Sequence, residues 1–140
     1  MRDTTAPRWF MPLAILLVLW SLIGCAACFM QVVTGNVPGA APEDLALVRA
    51  MPLWFNLDYV IATLASLAGA VALVTKSRVA LPLFVISSIA VVLQFGYVFA
   101  ATDSLARKGA SAAALPIVII AIALFEIWLA SRARRRGWLR

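Results

Sequence analysis

The chain has 140 residues, 64% of them hydrophobic, with a mean hydropathy of +1.00 and a formal net charge of +6. That composition excludes an ordinary soluble domain, and the length allows one domain. There is no histidine and there are only two cysteines, which excludes histidine-ligated haem and zinc, a Ser–His–Asp triad, and any cysteine-rich metal or disulfide framework. Twelve cations against six acids could point to nucleic acid. They sit at the ends of apolar runs and in the tail, however, which is the pattern of membrane orientation, so no nucleic-acid partner is expected.

After a short polar start, Met1–Arg8, the run Trp9–Val33 is 25 residues of apolar sequence. A signal-peptide reading of Met1–Ala27 fails because this run is about twice a typical h-region and continues through Phe29-Met30. Gly35, Pro38, Gly39 and Pro42 then mark a loop. Pro42-Glu43-Asp44 resembles a helix start, with proline early and acids in the first turn. Leu45, Val48 and Met51 recur at helical spacing, so a short interfacial helix is expected before the second span.

Pro52–Val74 and Val79–Ala101 are each 23 residues, the first with one ionisable group and the second with none. A hydrocarbon core of ~30 Å takes roughly 20 residues at 1.5 Å each, so both can span. The turn Thr75-Lys76-Ser77-Arg78 is short enough to force the two helices side by side and antiparallel. Asp103, Arg107 and Lys108 occupy the next turn, Ala112–Ala130 is the fourth apolar run, and Pro116 falls in its first turns, where a missing N–H is tolerated. The expected fold is therefore an all-α integral membrane protein. It forms a single four-transmembrane-helix domain over residues 1–140, with spans at about 9–33, 52–74, 79–101 and 112–130.

Orientation follows from the cations. With both termini inside, the inner segments carry Arg2, Arg8, Lys76, Arg78, Arg132, Arg134, Arg135, Arg136 and Arg140, and the outer ones Arg49, Arg107 and Lys108. Nine against three predicts both termini cytoplasmic.

Polar side chains at membrane depth are costly and turn toward a bundle interior. Ser21, Gly24, Cys28 and Gln31 form one stripe on the first span. Asp58, Ala62, Ala65, Gly69 and Ala72 form a second, and Ser87, Ala90, Gln94, Tyr97 and Ala101 a third. Small residues let helices approach closely, so these faces are expected to pack against one another. Cys28, Gln31, Asp58, Gln94 and Tyr97 lie at matching depth near the outer surface. They make either a hydrogen-bonding cavity open to the outside or a self-satisfied network.

Glu126, read as lying near the inner end of the last span, is expected to pair with Lys76 or Arg78; a proton-coupling acid is the alternative. Small four-helix multidrug transporters place their essential acid in the first helix, and this first helix has none. The Cys25-Ala26-Ala27-Cys28 pair lies inside a helix rather than at an N-terminus, where the dipole would activate a thiol. The pair is expected to be packing, with no enzymatic role.

The segments Leu19-Trp20-Ser21-Leu22-Ile23-Gly24-Cys25, Arg78-Val79-Ala80-Leu81-Pro82-Leu83, Gln94-Phe95-Gly96-Tyr97 and Arg136-Gly137-Trp138-Leu139-Arg140 resemble a family of small bacterial four-span membrane proteins labelled sugar transporters. The resemblance implies an inner-membrane protein moving a small polar, sugar-like solute; the residue content itself leads us to expect no cofactor. Asn56, Asp58, Gln94 and Tyr97 are the hydrogen-bonding and aromatic groups available to such a solute. That set is thin for one copy, so a homo-oligomer is expected. The other reading is a non-catalytic accessory, assembly or structural subunit of a larger membrane complex.

Overall fold

The computed structural model describes residues 6–37, 42–101 and 111–139. The loop at Pro38 and Gly39, the turn over residues 102–110, and the charges Arg2, Asp3, Asp103, Arg107, Lys108 and Arg140 lie outside the described residues. Within them every regular element is helical: α1 (Phe10–Phe29), a wider π turn (Met30–Thr34), α2 (Pro42–Arg49), α3 (Leu53–Val74), α4 (Ala80–Ala101) and α5 (Ser111–Arg135). Four helical stretches are long and apolar enough to cross a membrane: Phe10–Thr34, Leu53–Val74, Ala80–Ala100 and Pro116–Arg135.

Each boundary has a local cause. Pro52, in extended backbone, starts α3, because proline lacks the N–H that a helix interior needs. The first span widens into its π turn and stops at Gly35, whose φ of 67° is the left-handed conformation glycine adopts at no steric cost. Its last carbonyls are not left bare. Asn36 donates its backbone N–H to Met30 O at 3.2 Å, the Thr34 hydroxyl donates to the same oxygen, and Arg49 Nε of α2 donates to Gly35 O at 3.3 Å. The helix expected near Pro42 therefore exists, and its last residue ties it to the end of the first span.

The fourth spanning helix runs five residues beyond the expected Ala130. Residues 131–135 are compatible with helix, and Arg132, Arg134 and Arg135 in the last turn oppose the negative C-terminal end of the helix dipole. It ends in a Schellman motif. Gly137 has φ 76°, Gly137 N–H donates to Arg134 O at 3.2 Å and Trp138 N–H to Ala133 O at 2.9 Å. The turn folds Trp138 back onto Phe10 and Trp9, edge to face, with ring centroids 5.4 and 5.8 Å apart.

The helices α1, α3, α4 and α5 form an antiparallel bundle in which α3 packs against both α1 and α4, and α5 packs against α4. One core gathers at the end where the described chain begins and finishes. Phe10, Ala14, Leu17, Leu73, Phe84, Leu129, Ala133, Trp138 and Leu139 are buried there together. In a bilayer, where lipid is as apolar as these side chains, close packing rather than water exclusion would hold such helices together. The stripes expected from the sequence turn inward: Ser21, Cys28, Ala62, Gly69, Ala72, Ser87 and Ala90 are all buried. Leu16, Ile23, Leu53, Ile89, Ile117 and Leu124 face outward, each more than half exposed.

Candidate functional site

Three helices meet through polar side chains in the middle of the bundle. On α1, Ser21 lies about halfway between Phe10 and Thr34. On α3, Ser66 lies in the middle third, and on α5 Glu126 is ten residues from Pro116 and nine from Arg135. At 1.5 Å per residue that puts Glu126 roughly 14–15 Å from either end of its span. Ser66 Oγ donates to Glu126 Oε1 at 3.4 Å, and Ser21 Oγ lies 2.9 Å from Ser66 Oγ. A serine has one proton to give, so with Ser66 donating to Glu126, Ser21 must donate to Ser66. The result is a directed chain, Ser21 to Ser66 to Glu126, across three helices. Glu126 is 2% exposed.

The expected pairing of Glu126 with Lys76 or Arg78 is not what the structure shows. Among the described residues its polar partner is Ser66 alone. The reason is depth. An end at Ala130, as the apolar run alone suggests, sets Glu126 near the inner surface. Glu126 instead meets Ser66, eight residues before the last residue of α3, whereas Lys76 and Arg78 lie in the turn beyond that residue. A lone carboxylate in hydrocarbon costs several kcal/mol unless it meets a cation or takes up a proton. Among the described residues Glu126 has no cation and one neutral hydroxyl donor.

Other side-chain donors surround this chain, both between helices and within α3. Ser87 on α4 donates to the Ala62 carbonyl of α3 at 2.7 Å, fully buried. Thr63 donates back to the carbonyls of Tyr59 and Val60 at 3.0 and 3.2 Å, and Cys25 Sγ donates to the Thr63 carbonyl at 3.6 Å. Both cysteines are free thiols, Cys28 buried and Cys25 half-buried.

The four residues expected to serve a solute lie toward the opposite end. Phe55 and Tyr97 rings are 5.7 Å apart and Trp54 and Tyr97 rings 4.8 Å. With the Ala62–Ser87 contact, these set the antiparallel register of α3 and α4 and bring Asp58 and Gln94 to one depth. Asn56, Asp58, Gln94 and Tyr97 are all half-buried. No hydrogen bond joins any two of them among the described residues, and Asp58 Oδ2 is buried without a hydrogen-bond partner. Tyr97 instead packs its ring into an aromatic cluster.

Sequence reasoning names Ser21 and Glu126 but misses Ser66. Its signal is available, since Ser66 follows Ala62 by four residues and precedes Gly69 by three, on the small-residue face of α3. Comparison of the chain with protein-family models, curated proteins and solved structures found no match. The functional reading therefore rests on the chain itself.

Proposed function

We propose that the protein is a multi-pass carrier of the bacterial inner membrane that moves a small polar, sugar-like solute as an oligomer, with Glu126 coupling a proton to that movement. The observation that carries the reading is a carboxyl buried at mid-span whose partner among the described residues is a serine chain and not a cation. Intramembrane acids of this kind serve proton relays. The chemistry is reversible. A deprotonated Glu126 accepts from Ser66, whereas a protonated one can donate to Ser66, which then donates to Ser21. One proton thus reverses the hydrogen-bond direction through α5, α3 and α1 without moving a heavy atom far. Few polar groups line one bundle, which supports an oligomer whose copies share the solute path. Asn56, Asp58, Gln94 and Tyr97 are the solute-facing residues in this reading, and Asp58 Oδ2 is an acceptor with no protein donor among the described residues.

The test is reconstitution in vesicles with an imposed pH gradient and a panel of labelled sugars and other small polar solutes. The wild type should accumulate at least one solute and carry protons with it. Glu126→Gln, nearly isosteric, should retain its fold and lose gradient-driven accumulation. Full accumulation by Glu126→Gln would remove the proton-coupling role. No solute movement by the wild type would overturn the carrier reading and favour an accessory subunit of a larger membrane complex.

A further inference from the structure

We propose that the groove between the start of α4 and the end of α5 binds the phosphate of an anionic phospholipid headgroup. The groove is lined by Leu81, Ser131, Arg134 and Arg135. Ser131 and Arg135 are four apart on α5 and Arg134 is three from Ser131, so the hydroxyl and both guanidiniums lie on one helical face. Neither arginine has a carboxylate partner among the described residues. A guanidinium presents a planar fork of donors that matches phosphate oxygens, and two of them beside a hydroxyl can satisfy a phosphodiester from several directions.

Position selects the source of that phosphate. Arg135 is the last residue of the apolar stretch that starts at Pro116, and Leu81 is the second residue of α4. The groove therefore lies where apolar helix gives way to charge, which is headgroup depth for a spanning bundle. Leu81 offers an apolar wall to the first carbons of an acyl chain, a surface that free phosphate does not need. Basic pockets between transmembrane helices at the positive side are sites for anionic headgroups.

The neighbouring cations are disposed differently. Arg132 has its guanidinium 5.5 Å from the Trp128 ring centroid, a cation–π contact that draws it to its own helix. Arg78 and Arg136 are exposed, as Arg134 and Arg135 also are, but they do not line the groove. They supply a control with the same loss of charge at the same end of the molecule.

The experiment uses the full chain in a neutral detergent, with phosphatidylglycerol, phosphatidylcholine or inorganic phosphate added, read by native mass spectrometry and thermal unfolding. Phosphatidylglycerol should form one retained adduct and raise the melting temperature; phosphatidylcholine and inorganic phosphate should do neither. The double variant Arg134→Gln/Arg135→Gln should weaken phosphatidylglycerol binding about tenfold or more, the scale of losing charge-assisted contacts. Arg78→Gln/Arg136→Gln should stay within about twofold, as screened surface charges do. Equal weakening by the two double variants would overturn the proposal by reducing it to a diffuse field. Stabilisation by inorganic phosphate as large as that by the lipid would overturn the lipid as ligand.

Discussion

Gly69 shows how little space separates α3 from α4. A Cβ built there would fall 2.8 Å from two ring carbons of Phe84, and Phe84 is fully buried with no room to withdraw. Gly69→Ala should therefore lower stability by about 1–3 kcal/mol, the range for overpacking a filled core, although alanine favours helix over glycine. Unfolding in detergent measures the sum, and a variant as stable as wild type would show that the helices can slide apart at no cost. Gly24 is the contrast, since its added Cβ would meet only the Thr63 methyl at an ordinary 3.7 Å. At the same scale, Ser66 is the polar link between Glu126 and α1. Ser66→Ala should destabilise by about 1–3 kcal/mol, since it leaves the buried carboxyl without a donor, and on the proposed carrier function it should also weaken gradient-driven accumulation. Ser21→Ala should cost less, because it removes a donor from a hydroxyl and not from an acid.

Among the elements, the two left-handed turns at the basic end decide how the helices stop. Lys76 takes φ 59°, the one non-glycine with positive φ among the described residues. Its N–H donates to Leu73 O at 3.1 Å and that of Ser77 to Ala72 O at 2.7 Å, the Schellman pattern with lysine in the place glycine favours. Lys76→Gly should relieve a left-handed penalty of roughly 1 kcal/mol, so its melting temperature should rise or hold even though a charge is lost. Gly137 makes the equivalent turn after α5, and what it delivers is Trp138, buried against Phe10 and Trp9. Trp138→Ala should cost about 3–5 kcal/mol, as truncation of a buried aromatic does. It should also loosen the ends of α1 and α5 together, read as faster amide exchange at both.

For the molecule as a whole, charge asymmetry is the main feature. Among the described residues, Arg8, Lys76, Arg78, Arg132, Arg134, Arg135 and Arg136 share the end where α1 begins and α5 finishes, and Arg49 stands at the other. In a membrane that difference should hold the basic end in the cytoplasm. In a chain with Cys25 and Cys28 replaced by alanine, an impermeant thiol reagent added to intact cells should label Asn36→Cys and spare Ser77→Cys. Labelling of Ser77→Cys before lysis would reverse the orientation.

Much of the fold is legible in the sequence, because helix length, apolar continuity and cation placement are local properties. Runs of 19 to 25 apolar residues define four spans by the thickness of a bilayer alone, and small-residue stripes identify the faces that pack. The short helix before the second span is equally readable from Pro42-Glu43-Asp44. What the sequence could not decide is depth and partnership. Whether Glu126 meets Lys76 or Ser66 depends on how α5 is set in depth against α3. That is a matter of tertiary packing, which includes Trp138 against Trp9 and Phe10, contacts more than 100 positions apart in the chain. Likewise Asp58, Gln94 and Tyr97 read as one hydrogen-bonding layer because they share a depth. Only the packed bundle shows Tyr97 turned against Trp54 and Phe55. Composition sets which side chains must avoid lipid; the tertiary packing alone chooses which of them meet, since a hydrogen bond needs atoms about 3 Å apart and matching depth guarantees no such approach.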